Sequence, residues 1–444
     1  MAPYALMRRR ALAVLAGSTL ALSGSTAAMA GPTVSRTAAV ACVRHAMAAA
    51  VGLNGKFVWR TALAATATEF QTSFTPAVGA TIGYWPEDGV VHALRLKDGH
   101  QLWQVRQGYS LNGVWLNHGV VSVLTDDFGG GGLLTGLNAA TGKLKWRLKI
   151  PGKGLTIDGP SATADGGLAW VRADGQLQVI DLVTGKVRWS ARQGSAAQIA
   201  AQFPQIQVLG KRVYYLSGGR MSAYDDRKGT VAWSVHGAPV HGRLVVAGGR
   251  LLVDGGWAGA PYGLGSVDPA RGTTRWIYDN GAALEVLAAG SGRIAVEPAS
   301  PQAAPHEWML DATTGLVAWQ TDTAVHNHSI LIRPHDTVAL EGNGDYDRPA
   351  LLVDRSLVDG HVLWQTTVHH AAATSQSLVV AGSAVIVNPD GEFAHPYNPL
   401  YAFSLATGHP VWSVGTLRTL QADPVVKPKL MYVTAADDAS LCEG

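Results

Sequence analysis

The sequence is poor in cysteine and lacks the signatures of several common enzyme classes. Its 444 residues contain only two cysteines, Cys42 and Cys442. No Gly-x-Ser-x-Gly, P-loop or His-Glu-x-x-His pattern occurs, and neither do adjacent cysteines or a Cys-x-x-Cys-His haem motif. The chain therefore carries none of these motifs for hydrolytic, phosphate-binding or haem chemistry, and no catalytic residue is predicted.

Long apolar runs are also missing once the amino terminus is set aside. Three arginines at 8–10 precede an apolar stretch over 11–22, and Ala28-Met29-Ala30 gives a signal peptidase pattern. Residues 1–30 are therefore predicted to be a signal peptide, so the protein is expected in the extracellular space, the periplasm or the cell envelope. No later segment reaches 18 apolar residues, and no transmembrane segment is predicted.

An excess of one charge is missing as well. Residues 1–30 hold three arginines and no acid, so 32 basic residues face 32 acidic ones in the rest of the chain. This balance argues against nucleic acid as a partner. Since exported proteins fold in oxidising compartments, Cys42 and Cys442 are predicted to form one disulfide, with two unpaired thiols as the alternative.

Glycine and tryptophan are abundant, with 52 and 14 copies. Gly-x-x-x-Trp recurs nine times, and successive tryptophans of the pattern are 43 to 48 residues apart. Most copies have Asp or Asn four positions before the glycine, or Thr just before it, and both are turn formers between alternating, strand-like segments. The tryptophans of the pattern are predicted to be structural: Trp59, Trp103, Trp146, Trp189, Trp233, Trp276, Trp319, Trp364 and Trp412.

Four short strands in each unit of 40–45 residues are typical of a propeller blade. The sequence thus predicts an all-β fold, a single β-propeller of eight blades with four antiparallel strands each. Nine blades is the alternative count. The ring is predicted to close by pairing of amino-terminal and carboxy-terminal strands, with residues 31–54 as a lead-in and 55–444 as the propeller, and a monomer is expected.

Two of the repeats carry a family resemblance. The segments 138–146 (NAATGKLKW) and 181–189 (DLVTGKVRW) resemble the tryptophan-docking motif of pyrroloquinoline-quinone-like propellers, in which the indole stacks on the turn of the next motif. The resemblance covers about 55–444 and implies the fold rather than a cofactor, so no cofactor is predicted. In character the chain is similar to the non-enzymatic envelope scaffold propellers of this family.

Enlarged connections in four consecutive units point to a candidate binding surface, since loops on a rigid scaffold tend to carry function. The residues expected on this rim are Trp257, Tyr262, His306, Tyr346, Arg348, Phe393, His395 and Tyr397. The candidates for metal binding are the histidines His326, His328, His369 and His370, and the oxygen donors Glu341, Asn343, Asp345 and Asp347.

Three functions are compatible with these features. The favoured one is an exported, non-catalytic propeller that binds a protein or a cell-envelope component. The first alternative is a quinone-dependent dehydrogenase that holds pyrroloquinoline quinone with calcium, as the resemblance implies. The second is a sensor of carbohydrate or another small ligand, which would stack on the aromatic rim.

Overall fold

A computed structural model describes residues 45–66, 75–87, 89–108, 110–126, 132–150, 161–163, 165–171, 175–194, 204–239, 242–257, 260–300, 303–323, 327–341, 349–369, 377–388, 400–414, 417–419 and 425–437. Every regular element within these ranges is a β-strand. None of the described residues belongs to a helix long and apolar enough to cross a membrane.

The strands follow one another in groups of four. The amino-terminal pair is β1 (His45–Gly52) and β2 (Phe57–Thr66). Blade 1 comprises β3 (Ala77–Val78), β4 (Ile82–Glu87), β5 (Val90–Arg95) and β6 (Gln101–Arg106). Blade 2 comprises β7 (Ser110–Asn117), β8 (Val120–Asp126), β9 (Gly132–Asn138) and β10 (Leu144–Ile150). Blade 3 comprises β11 (Ser161–Ala162), β12 (Gly167–Val171), β13 (Gln176–Asp181) and β14 (Val187–Arg192). Blade 4 comprises β15 (Gln205–Leu209), β16 (Arg212–Ser217), β17 (Arg220–Asp225) and β18 (Val231–His236).

The same grouping continues to the carboxyl end. Blade 5 comprises β19 (Leu244–Ala247), β20 (Arg250–Trp257), β21 (Ala260–Val267) and β22 (Thr274–Tyr278). Blade 6 comprises β23 (Leu284–Gly290), β24 (Arg293–Pro298), β25 (His306–Asp311) and β26 (Val317–Asp322). Blade 7 comprises β27 (Asn327–Ile332), β28 (Asp336–Glu341), β29 (Ala350–Ser356) and β30 (Val362–Val368). Blade 8 comprises β31 (Ser377–Ala381), β32 (Ala384–Asn388), β33 (Leu400–Ser404) and β34 (Pro410–Val414). Last come β35 (Leu417–Thr419), β36 (Val425–Val426) and β37 (Leu430–Asp437).

The described strands form nine antiparallel sheets, the higher of the two predicted counts. Eight sheets are consecutive four-stranded meanders, and the ninth combines β2, β1, β37 and β35, with β36 also paired to β37. The predicted pairing of the two chain ends is confirmed, because β1 runs antiparallel to β37 from Ala46 opposite Ala436 to Gly52 opposite Leu430. The amino terminus supplies two strands to this closing blade.

The strand β1 lies within 31–54, the region predicted to be a lead-in, so the described ring begins at or before His45. Its Ala48, Ala49 and Ala50 are fully buried between neighbouring blades. Alanine has weak strand propensity, which is why the sequence pattern did not indicate a strand there. Its small side chain lets neighbouring sheets approach closely where the ring closes.

The nine repeat tryptophans join each blade to the next. Each indole Nε1 donates a hydrogen bond of 2.8–3.3 Å to a backbone carbonyl in the following blade. The acceptors, in the order of the tryptophans, are Leu96, Ala139, Val183, Asp226, Pro269, Ala312, Leu357, Leu405 and Leu53. The last bond runs from Trp412 to Leu53, from blade 8 to the closing blade, so the series of bonds returns to its start.

The glycine of each repeat lies under the indole of the preceding blade. Gly185 has φ +71°, and a Cβ there would lie 2.4 Å from Cδ2 of Trp146. Both the left-handed backbone and the close indole require glycine. The preceding turn is held by Asp181, whose Oδ1 accepts hydrogen bonds from the backbone N–H groups of Val183 and Thr184. The seam between blades is therefore built from one turn, one glycine and one indole.

Candidate functional site

The candidate rim lies on the face formed by the loops after the second and fourth strands of each blade. In an up-and-down blade these loops share one face, while the glycine turns lie on the other. The rim is defined here as the described parts of these loops, with the strand ends beside them, in blades 5–8.

Blade 5 presents a long hairpin at the rim. Its strands β20 and β21 have eight residues each and remain paired out to Trp257 opposite Ala260. Tyr262 is 48% exposed on this hairpin, as expected of a rim residue. Trp257 is only 9% exposed, which departs from the expectation that it is displayed. Its indole covers Gly265, where a Cβ would lie 2.2 Å from Cζ2, so the missing side chain makes room for the ring.

A charged cluster joins blade 5 to blade 6 beside this hairpin. Arg243 Nε lies 2.8 Å from Asp254 Oδ2, and Arg243 Nη1 lies 3.2 Å from Glu285 Oε1. The backbone N–H of Arg243 also donates to Asp254 Oδ1. Burial raises the pKa of Asp254 above its usual value, although attraction to Arg243 opposes the rise. The two carboxylates hold the Arg243 guanidinium in place, and the Arg243 side chain is half-exposed to solvent.

Blade 6 places a histidine and a carboxylate together at the rim. His306 Nδ1 lies 2.7 Å from Asp322 Oδ1, and the imidazole packs on Trp308 with ring centroids 4.4 Å apart. The Asp322 side chain is 93% exposed, whereas that of His306 is 20% exposed. The pair thus holds the imidazole close to the surface and presents a carboxylate to solvent.

Blade 7 adds an ion pair that is almost buried. Arg355 Nη2 lies 3.1 Å from Glu341 Oε1, and their side chains are 11% and 4% exposed. The sequence makes Glu341 a candidate calcium ligand, but in the structure its Oε1 pairs with Arg355. The other three oxygen donors of that hypothesis, Asn343, Asp345 and Asp347, lie outside the described residues.

Most of the remaining predicted site residues lie outside the described ranges. His369 is exposed, and its backbone carbonyl accepts a 2.9 Å hydrogen bond from the hydroxyl of Tyr401. His328 belongs to β27, but its side chain is not among those described. The residues that fall outside altogether are His326, Tyr346, Arg348, His370, Phe393, His395, Tyr397, Cys42 and Cys442.

The closed ring, its docked tryptophans and its repeats agree with a family comparison. A family model described as outer membrane protein assembly factor BamB matches residues 87–236, 217–390 and 351–443. The chain belongs to the BamB family. The predicted pyrroloquinoline-quinone-like repeat is confirmed by this match.

Two curated members of the BamB family are similar in sequence over part of the chain. The outer membrane protein assembly factor BamB of Yersinia pestis is 31% identical over 219 residues, which are 45% of this chain and 54% of that protein. BamB of Moranella endobia (strain PCIT) is 31% identical over 211 residues, 45% of this chain and 52% of that protein. The chain therefore matches about half the length of these curated relatives.

A solved structure supports the fold alone. The crystal structure of a eukaryotic initiation factor superposes with a TM-score of 0.56 at 10% identity, covering 88% of this chain and 98% of that chain. Such low identity carries no information about ligands or partners. The comparison shows only that a solved structure has a similar fold over most of the chain.

The donor groups of the described residues do not fit a calcium ion with its quinone. No group of three or more His, Cys, Asp or Glu side chains in the described ranges is placed to hold a metal ion. Four acids of the described rim, Asp254, Glu285, Asp322 and Glu341, instead pair with Arg243, His306 or Arg355. We therefore derive no chemical step through a quinone for this BamB family member.

Sequence reasoning missed several polar groups that the fold brings to the rim. Arg243 meets Asp254 and Glu285, and Asp322 meets His306. Arg355 lies near the glycine-turn end of β29, and its side chain extends toward the rim to pair with Glu341. A signal was present, because charged residues directly before or after buried strands tend to be paired at a sheet end. Their partners, however, depend on strand register, which the repeat pattern alone does not give.

Proposed function

We propose that this BamB family member is a cell-envelope scaffold that binds a partner protein at the rim of blades 5–8 and does not catalyse a reaction. The observation that supports this most is the concentration of protruding and polar groups on one arc of a rigid ring. They include exposed Tyr262, the Arg243 cluster and the pair of His306 with Asp322.

These groups suit protein recognition because they are held in place before a partner arrives. Arg243 is fixed by two carboxylates, and His306 is fixed by Asp322 and Trp308. Side chains that are ordered in the free protein lose less entropy on binding. Tyrosine and arginine are also the residue types that protein interfaces favour.

The family suggests the kind of partner. The curated relatives are named outer membrane protein assembly factors, and we propose that this chain likewise binds a component of membrane protein assembly. Export by the signal peptide at 1–30 and a disulfide between Cys42 and Cys442 belong to the same proposal. So does the contribution of five further rim residues, Tyr346, Arg348, Phe393, His395 and Tyr397.

Site-specific photo-crosslinking in cells tests the proposal. A photoreactive amino acid at Tyr262 or at Asp322 should give a discrete crosslinked protein band, identified by mass spectrometry as an envelope protein. The matched control places the same amino acid at Arg271, which is exposed in the glycine turn of blade 5 on the opposite face. This position should give no such band.

Three results would contradict the scaffold function. Equal crosslinking at all three positions would show that the rim is not selective. Binding of pyrroloquinoline quinone and calcium to the purified protein, seen as a stoichiometric bound chromophore with alcohol oxidation, would favour the dehydrogenase instead. Glycan binding lost on Tyr262→Ala, without a protein crosslink, would favour the carbohydrate sensor.

A further inference from the structure

The equal numbers of basic and acidic residues in 31–444 hide an uneven distribution of charge around the ring. Residues 75–236, which contain blades 1–4, carry 17 Lys and Arg against 11 Asp and Glu. Residues 237–414, which contain blades 5–8, carry 8 against 16. Four consecutive blades are thus basic and the next four are acidic, with the rim in the acidic half.

The positive charge is densest on β10, the outer strand of blade 2, and on the residue just before it. Four cations there, Lys143, Lys145, Arg147 and Lys149, are all exposed. This set is called the basic edge. None of the four forms an ion pair with any described residue, whereas Arg188 of blade 3 bonds to Asp165 and Asp181. Within the part of the chain that the structure describes, the charge of the basic edge is therefore uncompensated.

A difference within the repeat explains why one of the four cations, Lys145, has no counterion among the described residues. Arg188 and Arg275 stand three residues after the repeat glycine, and each pairs with the repeat aspartate, Asp181 or Asp268. In blade 2 the equivalent cation is Lys145, but the repeat position holds Asn138. Asn138 still holds the turn, accepting hydrogen bonds from the backbone N–H groups of residues 140 and 141. The turn is kept while the neutralising charge is lost.

Protection of an exposed sheet edge does not account for the basic edge. Lysines on edge strands commonly prevent edge-to-edge association. The outer strands β30 and β34 of blades 7 and 8 are equally peripheral, yet they contain no Lys, Arg, Asp or Glu. Since those outer strands carry no charged residue against edge-to-edge association, protection of an edge does not explain the four cations of the basic edge.

We propose that the basic edge binds the anionic phospholipid headgroups of a membrane surface. Lys143 and Lys149 are six residues apart, so the row spans about 20 Å of extended strand. A flat row of this length matches many phosphate groups on a plane better than one enclosed ligand. Beside it lies Leu144, which is 51% exposed and can reach the headgroup boundary.

This contact orients the ring. Blades 1–4 would face the anionic surface, and the acidic blades 5–8 would be repelled from it, so that the rim stays open to soluble partners. The inference stands apart from the proposed scaffold function, because a rim that binds no protein would not alter lipid binding by blade 2. The two proposals therefore fail independently.

Vesicle sedimentation tests this surface with the full chain. Binding is measured to vesicles of phosphatidylcholine with 30% phosphatidylglycerol and to pure phosphatidylcholine, at low and high salt. We expect binding to the anionic vesicles alone, weakened by salt. The variant Lys145→Glu/Lys149→Glu should lower the partition coefficient by more than about 20-fold, since each cation near the surface contributes several-fold.

The matched control reverses the same number of charges elsewhere. Lys427 and Lys429 are exposed in a turn of the closing blade, so Lys427→Glu/Lys429→Glu changes net charge equally and should keep near-normal binding. Equal loss in both variants would show a net-charge effect and overturn the assignment. Absence of binding to anionic vesicles would overturn it as well, and binding of an acidic protein through the basic edge in its place would identify a protein interface.

Discussion

The seams between blades have the same structure in every blade, whereas the rim of blades 5–8 has a different structure in each blade. All nine seams use an indole over a glycine turn with one hydrogen bond to a carbonyl. The rim uses a different device in each blade, namely a hairpin in blade 5, a His–Asp pair in blade 6 and a buried ion pair in blade 7. The seams therefore carry stability, whereas the rim is free to carry specificity.

Removing one seam indole should have the largest effect. Trp189 is 9% exposed and stacks on Tyr224 of the next blade at 5.7 Å. Trp189→Ala should lower the free energy of unfolding by about 3–5 kcal/mol, because a buried aromatic ring is lost and a cavity remains. Val187→Ala is the control, since Val187 lies on the same strand but is 43% exposed. Chemical denaturation that gives similar losses for both would contradict the docking role.

The glycine under the indole should come next in magnitude. In Gly185→Ala the new residue has to adopt φ +71°, and its Cβ would lie 2.4 Å from Trp146. We therefore expect the free energy of unfolding to fall by about 2–4 kcal/mol. Gly210→Ala is a matched control, because Gly210 has φ +61° and nothing within 4 Å of its Cβ position. In Gly210→Ala the free energy of unfolding should fall only by the cost of the left-handed backbone conformation, about 1–2 kcal/mol. Equal losses would mean that the indole contact adds nothing.

One seam departs from the others and predicts a pH effect. The residue paired with the docking tryptophan in the adjacent strand is uncharged in eight blades, but in blade 7 it is Asp354, opposite Trp364. Burial, followed by repulsion from Asp336, raises the pKa of Asp354 to about 7, against the attraction of Arg333 at 3.3 Å. Its Oδ1 has no hydrogen-bond partner among the described residues.

The sign of this effect follows from proton uptake. Between the ordinary aspartate value and pH 7 the folded state binds the proton more tightly than the unfolded state, so stability from this group falls as pH rises. Asp354→Asn should flatten the pH profile over that window and stabilise the protein at pH 8 by about 1–3 kcal/mol. Thermal denaturation across pH 4–8 measures this, with exposed Asp322→Asn as the control. If the dependence of stability on pH were the same in Asp354→Asn as in wild type, the raised pKa of Asp354 would be contradicted.

The repeat made the seams predictable from sequence. A glycine and a tryptophan four residues apart encode a turn and a docking ring whatever the other residues are, so nine copies suffice to predict a propeller. The closing blade was harder, since β1 has the sequence HAMAAAVG and its burial depends on pairing with β37, more than 370 residues away. Local propensity does not record such a long-range contact.

The rim was predictable only as a location. Enlarged loops in the sequence predict one face of the ring as the binding surface, and Tyr262 is exposed on that face. The sequence does not predict the burial of Trp257, because this burial depends on Gly265, which lies opposite Val253 in the paired strand and leaves room for the indole. The ion pairs of Arg243 and Arg355 likewise join strands whose register is fixed by packing across whole blades. Side-chain partners at a sheet end are therefore a tertiary property.

The smallest expected stability effect lies at the rim and separates it most clearly from the seams. Asp322→Asn removes a charge that is 93% exposed, so the free energy of unfolding should change by less than about 0.5 kcal/mol. Crosslinking of the partner through Tyr262 should nevertheless fall severalfold at low salt and match wild type at high salt, since exposed rim charges mainly guide association. Trp308 still packs on His306, so the imidazole keeps its position and only the charge is tested. A large stability loss would instead assign Asp322 to the framework of the ring.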